Sequence, residues 1–128
     1  MKLRLRHNSI RLRLTQTEVE SIAQNRAVEE TIVFGPLPRQ SVTYALETSS
    51  TASAIHAGVD AYRIAVVIPK RAAGIWASTD QVGLEAEQTI DGGATLKILI
   101  EKDFRCLEPR PNGDDADTFP HPLECSNS

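Results

Sequence analysis

The sequence is poor in aromatic residues and has no excess of positive charge. Of its 128 residues one is Trp, two are Tyr and three are Phe, and the formal net charge at pH 7 is -3. Proteins that bind nucleic acids usually carry a basic face, and those that bind single strands stack bases on several aromatic rings. We therefore expect no nucleic acid partner, and we predict that Trp76 is a core residue.

Long apolar runs are missing as well. No window of the sequence approaches the ~20 apolar residues of a membrane-spanning helix, and the basic start of the chain lacks the apolar middle region of a signal peptide. These absences predict a cytoplasmic protein with no membrane partner. The only two cysteines, Cys106 and Cys125, are then expected to be thiols, because a reducing compartment disfavours disulfides.

The composition divides the chain into a folded part and a tail. Residues 1–104 have ordinary globular composition, whereas residues 105–128 contain four prolines and five acidic residues. We predict a single α+β domain over 1–104 and an acidic, proline-rich tail over 105–128. The tail could dock on the basic start of the chain through Phe119, either within one chain or by exchange between two chains of a homodimer.

The first 14 residues predict a β-hairpin with one charged face. Leucine or isoleucine alternates with arginine on both sides of "HNS", which is the period of half-buried strands. A turn centred on "NS" would place Arg6 opposite Arg11 and Arg4 opposite Arg13. Like charges that face each other destabilise a sheet, so this face requires water, carboxylates or a bound anion.

The apolar period changes from two to that of a helix after the hairpin. Thr15 and Glu18 have the spacing of a capping box, and Thr17 with Glu20 offers a second one. Either box predicts a helix at about residues 16–25.

The rest of the folded part reads mainly as strands. Residues 48–60 are small and polar and are predicted to be a mobile loop, and a second short helix is predicted after Pro69. The predicted strands cover residues 29–35, 41–49, 61–69, 82–90 and 94–103, the last two joined by "DGG". The predicted fold is α+β, with two short helices and a curved antiparallel sheet or small barrel of about seven strands.

Three stretches resemble a family of small uncharacterised bacterial proteins. They are "NSIRLRLTQTEV" near the start, "EKDFRCLEPR" at residues 101–110 and "DDADTFPHP" at residues 114–122. This resemblance spans nearly the whole chain and implies no known activity. A second resemblance is local: "IRLRL" and "LEAEQ" are similar to the anion-binding strands of triphosphate-tunnel enzymes, although "LEAEQ" lacks the lysine of their Glu-x-Glu-x-Lys strand.

The charged face of the hairpin is the candidate site. Arginine binds phosphate and carboxylate through its planar fork of donors, so the face predicts a site for a small anion. The candidate ligand-binding residues are Arg4, Arg6, Arg11 and Arg13. The alternative is a solvated face whose arginines form salt bridges to acids such as Glu85 and Glu87.

Two classes of function remain open. One is a binding or interaction domain without enzymatic activity. The other is a metal-dependent hydrolase for a phosphorylated or polyphosphate substrate, in which Glu85 and Glu87 would hold the divalent ion beside the arginines. Cys106, His121 and Cys125 lack the paired spacing of zinc ligands, and no Gly-rich phosphate loop is present. We therefore expect neither a resident metal nor a cofactor.

Overall fold

A computed structural model describes residues 1–105 and 119–120 of the chain. In this part the polypeptide forms strands, two α-helices and a 3₁₀ turn at Pro38–Gln40. The strands and helices are β1 (Lys2–Arg6), β2 (Ser9–Leu14), α1 (Gln16–Ala23), β3 (Val28–Val33), β4 (Ser41–Ser49), β5 (His56–Asp60), β6 (Arg63–Pro69), α2 (Lys70–Ser78), β7 (Gly83–Thr89), β8 (Thr95–Lys102), β9 (Phe104–Arg105) and β10 (Phe119–Pro120).

The eight longer strands form two four-stranded sheets. Sheet A has the order β1-β2-β8-β7, and sheet B has the order β3-β4-β6-β5. In both sheets the two central strands run parallel, and each outer strand is antiparallel to its neighbour. The α+β class is confirmed. The predicted single antiparallel sheet is instead two mixed sheets, and neither closes into a barrel. The parallel pairs join strands far apart in the sequence, so no local pattern reveals them.

Strand β5 lies inside the segment that was predicted to be a mobile loop. It pairs with β6 from His56 opposite Val67 to Asp60 opposite Arg63. On its other edge the amide of Gln88 accepts from the Ala57 N–H at 2.7 Å and donates to the Ala57 carbonyl at 3.0 Å. A side chain of sheet A thus satisfies the backbone of an edge strand of sheet B, and this distant partner compensates for weak strand composition.

The first hairpin has the predicted faces but a different register. Arg4 lies opposite Arg11 and Lys2 opposite Arg13, because the turn is formed by residues 7 and 8. His7 adopts a left-handed conformation at φ 51°. The pairing therefore differs by two residues from the prediction. An even shift leaves each side chain on its face of the sheet, so the arginines still share one face.

The hairpin formed by β7 and β8 agrees with the prediction. The Ile90 N–H donates to the Ala94 carbonyl at 2.8 Å and closes a loop over "DGG". Gly92 and Gly93 both have positive φ, which glycine adopts without steric cost. As a result Glu87 lies opposite Lys97, as the three-residue loop predicts.

The described chain contains an internal structural repeat of 54 residues. The offset relates the starts of four elements in the first half to four in the second, namely Lys2 to His56, Ser9 to Arg63, Gln16 to Lys70, and Ser41 to Thr95. Hydrogen bonds repeat with it, since Lys97 N–H donates to Asn8 O and Thr43 N–H donates to Tyr62 O. Each half is therefore a hairpin, a helix and a second hairpin.

The two halves exchange hairpins. Strand β2 of the first half pairs with β8 of the second, from Ser9 opposite Lys97 onwards. Strand β6 of the second half pairs with β4 of the first, with Arg63 opposite Thr43 in the matching position. Each sheet thus contains one hairpin from each half, which makes the fold an intertwined pseudo-dimer within one chain.

The core is built from matching apolar positions of the two halves. Leu14 is the last residue of β2 and Ile68 the last but one of β6, and both are fully buried. In the second turn of each following helix, Ile22 and Trp76 are buried in the same way. Trp76 also donates from Nε1 to the Val82 carbonyl at 3.1 Å. The prediction that Trp76 is a core residue is confirmed.

A short piece of the predicted tail contacts the body of the protein. Phe119 donates its N–H to the Asp103 carbonyl at 2.7 Å and pairs with Phe104 in a parallel bridge. Its ring lies edge-on to Phe104, with centroids 5.9 Å apart, and 5.4 Å from the Lys102 ammonium. The remaining tail residues, which include Cys106, His121 and Cys125, lie outside the described part, and the boundary at residue 105 stays a prediction.

Candidate anion-binding groove

The candidate site is the outer face of sheet A. Strand register places its side chains in rows that run across all four strands. One row is Arg4, Arg11, Leu99 and Glu85, and the next is Arg6, Ser9, Lys97 and Glu87. Cations therefore lie on the β1 side of the face and carboxylates on the β7 side.

These rows line one open groove with a volume of about 640 Å³. Arg4, Arg6, Glu85 and Glu87 are exposed in it, and Leu99 is half-buried at its centre. The arginine face thus lies on the outside of the core, in contact with solvent. Arg4, Arg6 and Arg11 line the same groove as both glutamates, so these two sets of residues are neighbours, as both alternatives drawn from the sequence require.

Part of the positive charge is neutralised within the sheet. Arg11 places Nε and Nη2 each 2.6 Å from Oε1 of Glu101, and the Nε of Arg13 lies 3.7 Å from the same oxygen. Lys2 lies 3.0 Å from Oδ2 of Asp103, whose side chain is 2 % exposed. The alternative drawn from the sequence was salt bridges to acids such as Glu85 and Glu87, whereas Arg11 and Arg13 pair with Glu101.

Two of the hairpin's four arginines have no carboxylate partner among the described residues. Within residues 1–105 and 119–120, neither Arg4 nor Arg6 forms an ion pair. The same holds there for Glu85, Glu87 and Lys97. Arg4 lies directly opposite Arg11 in the β1–β2 ladder, which is an unfavourable pair of like charges.

Three of the four predicted arginines, Arg4, Arg6 and Arg11, line the groove. Arg13 is buried and lines a smaller adjacent pocket of about 210 Å³ together with Lys2, Arg4 and Arg11. Strand β8 contributes Lys97, Leu99 and Glu101 to this face, and none of them was predicted as a site residue from the sequence. The signal for them was the alternating pattern of "TLKILIEK", but its placement beside β2 depends on a parallel pairing between the ends of the chain.

The second half of the repeat provides an internal comparison for the groove. Sheet B has a groove of about 510 Å³ in the equivalent place. The positions that match Arg4, Arg6 and Arg11, 54 residues later, are Gly58, Asp60 and Ala65. The same architecture therefore folds without the arginines, so the fold itself does not require them.

The equivalent groove of sheet B contains one arginine, Arg63, and two glutamates neutralise its charge. Arg63 matches Ser9, and its Nη2 lies 3.1 Å from Glu29 and 3.3 Å from Glu47. Glu47 is the counterpart of Glu101. Both sheets thus keep a carboxylate on the central strand that pairs with an arginine, but only sheet A adds Arg4 and Arg6.

The described residues offer no metal cluster beside the groove. That part of the chain contains no group of three His, Cys, Asp or Glu side chains arranged to hold a metal ion. His7 lies exposed at the tip of the first hairpin, and His56 starts β5 at the margin of the second groove. No helix in the described part is long and apolar enough to cross a membrane.

Comparisons with known proteins complete the description. A family model described as a family of unknown function (DUF7009) matches residues 1–123. This match covers the repeat, the groove and most of the predicted tail. No curated protein and no solved structure gave a significant match to the chain.

Proposed function

The chain belongs to DUF7009, a family of unknown function, and we propose that it binds a small oxyanion in the groove of sheet A. The observation that carries the proposal is the pair Arg4 and Arg6, which have no carboxylate partner in the described part of the chain. Both guanidinium groups are exposed in a groove of about 640 Å³. Glycine and aspartate occupy the equivalent positions of the second half.

The proposal rests on the chemistry of arginine and on the local charge. A guanidinium group donates two parallel hydrogen bonds to phosphate or carboxylate, and such charge-assisted bonds are stronger than neutral ones. An anion in the groove would also relieve the repulsion between Arg4 and Arg11, which face each other on adjacent strands. Arg11 is already held by Glu101, so we assign it a supporting role and Arg4 and Arg6 the direct one.

Thermal unfolding in the presence of anions tests this proposal. Phosphate, pyrophosphate, nucleotides and citrate at millimolar concentration are the probes, because a ligand that binds only the folded state raises the melting temperature. We expect at least one probe to stabilise the protein, and we expect the double variant Arg4→Gln, Arg6→Gln to lose that stabilisation.

The matched control removes the same charge elsewhere. Arg26→Gln with Arg39→Gln lowers the net charge equally at exposed positions outside the groove and should leave the anion effect intact. If none of the anions shifts the melting temperature, or if both double variants lose the shift equally, the proposal is wrong.

A hydrolase acting on a phosphorylated or polyphosphate substrate is the second candidate. It is favoured by one observation, that Glu85 and Glu87 line the same groove as Arg4 and Arg6. Carboxylates beside an anion clamp can hold a divalent ion against the substrate phosphates. Release of phosphate from tripolyphosphate or ATP with magnesium or manganese, and its loss in Glu85→Gln, would support this activity. Absence of release with both metals would reject it for these substrates.

A further inference from the structure

The groove has opposite charges on its two sides. Arg4 and Arg6 project from β1, at one edge of sheet A, and Glu85 and Glu87 project from β7, at the other edge. Leu99 lies half-buried on the strand next to β7 and separates Arg11 from Glu85. The groove thus has a cationic side, an anionic side and, on β8 near its centre, the apolar Leu99 beside the exposed Lys97.

The two glutamates differ in their immediate neighbours. Glu87 lies opposite Lys97, so a cation of the protein is adjacent to it on β8. Glu85 lies opposite Leu99, and the next residue in that row is Arg11, which is held by Glu101. No cation lies directly across from Glu85. An exposed carboxylate beside an apolar side chain in a binding groove is suited to a ligand cation.

This arrangement opposes a ligand that carries only negative charge. An anion long enough to cross from β1 to β7 would approach Glu85 and Glu87 at its far end, where like charges repel. Neighbouring strands are ~4.8 Å apart, so β2 and β7 are separated by roughly 10 Å and β1 and β7 by roughly 14 Å. A ligand roughly 10 to 14 Å long, with an oxyanion on the β1 side and a positive group on the β7 side, would meet opposite charge at both ends.

We propose that the ligand of this groove is bipolar, with an oxyanion at one end and an amine at the other. Arg4 and Arg6 bind the oxyanion, Glu85 binds the ammonium group, and a short apolar linker lies over Leu99. This inference rests on the oxyanion site proposed above and adds the second charged end and the length of the ligand. The strand spacing sets the distance between the two charged ends at roughly 10 Å, and an extended linker of about six carbons spans that distance.

Two matched probes test the inference by titration calorimetry at low ionic strength. 6-Aminohexyl phosphate has both charges, and hexyl phosphate has the phosphate and the linker without the amine. We expect the amino compound to bind about 2- to 5-fold more tightly, the range of one exposed ion pair. 7-Aminoheptanoate, with a carboxylate in place of the phosphate, identifies which oxyanion the arginines prefer.

Variants assign the two ends. Glu85→Gln should abolish the preference for 6-aminohexyl phosphate and leave the affinity for hexyl phosphate unchanged or slightly increased. Glu87→Gln should have the smaller effect, since Lys97 lies opposite Glu87. The control Glu20→Gln removes an exposed carboxylate of α1 outside the groove and should not alter the preference. Arg4→Gln with Arg6→Gln should abolish binding of both phosphates.

The outcomes separate this inference from the proposed function. If neither phosphate compound binds, oxyanion binding itself is wrong. If both bind with equal affinity, or if Glu85→Gln weakens both equally, the groove binds oxyanions but the ligand is not bipolar. If the amine gives no preference and magnesium strengthens the binding of both phosphates, the glutamates act through a divalent ion, which overturns the bipolar ligand and favours the hydrolase.

Discussion

The amine of Met1 is held between two carboxylates. Its nitrogen lies 2.5 Å from Oε2 of Glu18 and 2.7 Å from Oε2 of Glu30, and the Tyr44 hydroxyl donates to the Met1 carbonyl at 3.1 Å. Burial alone would lower the pKa of this amine, but the hydrogen bonds and charges of Glu18 and Glu30 outweigh burial and raise the pKa above 8.0. The first strand is thereby fixed to α1 and to β3.

The raised pKa of the Met1 amine predicts a dependence of stability on pH. The stabilisation is complete below pH 8.0, the value for the unfolded chain, and is lost as the pH rises through the higher value of the folded state. Urea unfolding between pH 6 and 10 measures it. Glu30→Gln should reduce the loss by about 0.5 kcal/mol, a small figure because Glu30 is 45 % exposed. An unchanged pH profile in this variant would contradict the assignment.

The turn between β5 and β6 contains two residues in the left-handed region. Ala61 has φ 49° and Tyr62 has φ 64°. Left-handed backbone costs roughly 1–2 kcal/mol for a residue with a side chain, whereas glycine adopts it freely. The equivalent turn of the first hairpin, between β1 and β2, has one residue in the left-handed region, His7.

Relief of this strain is a second prediction. Tyr62→Gly should raise the free energy of unfolding by about 1 kcal/mol, and little burial is lost because the Tyr62 side chain is 56 % exposed. Ser53→Gly is the control, since Ser53 is exposed and does not have positive φ. It should be neutral or slightly destabilising, because glycine adds freedom to the unfolded chain. Equal effects in both variants would argue against strain.

At the scale of elements, helix α1 shows what local sequence determines. Thr15 accepts from the Glu18 N–H at 3.3 Å, and the Glu18 carboxylate accepts from the Thr15 N–H at 2.9 Å. This is the first of the two capping boxes that the sequence offered, and the helix begins at Gln16. Such signals act over three residues, so the sequence suffices to place the start of the helix.

The cap provides a third prediction. Thr15→Ala should lower the free energy of unfolding by about 1 kcal/mol, because it removes the acceptor at the N-cap. Thr17→Ala changes the same residue type two positions later, inside the helix, and should cost clearly less. Denaturant unfolding of both variants measures the difference. A larger loss for Thr17→Ala would assign the cap to the second box.

The elements that sequence reasoning missed depend on distant partners. Strand β5 is stabilised by β6 and by the side chain of Gln88, which lies 31 residues from Ala57 along the chain. The hairpin register was also missed, since "HNS" permits more than one turn and β8 holds it through the Asn8 carbonyl and Lys97 N–H. The arginines were found because strand alternation is local. Their partner Glu101 was not, because the pairing of β2 with β8 joins opposite ends of the described chain.

At the scale of the whole molecule, the repeat is visible in the structure and hidden in the sequence. The matching core positions hold different apolar residues, such as Ile22 and Trp76, and the matching outer positions differ in charge, such as Arg4 and Gly58. Burial requires only that a position be apolar and that volumes fit together. The two halves could therefore keep one architecture while only sheet A acquired the charged groove.

The exchange of hairpins makes each half dependent on the other, which is the fourth prediction. A chain cut in the exposed loop after Ser53 gives fragments 1–53 and 54–128, each with two hairpins that lack their partner strands. Isolated two-stranded hairpins are marginally stable in water, so we expect each fragment alone to show little ordered structure by circular dichroism. Mixed in equal amounts, the fragments should form a 1:1 complex with the spectrum of the intact protein.

A substitution at the junction of the halves tests the cause of this association. Ile100 is fully buried on β8 and lies opposite Leu12 of β2, so Ile100→Asp in the second fragment should prevent assembly. Glu87→Gln in the same fragment, at an exposed position, should not. Cooperative unfolding of either fragment as a monomer would contradict the dependence. A fragment that pairs with itself instead of its complement would contradict the predicted 1:1 complex.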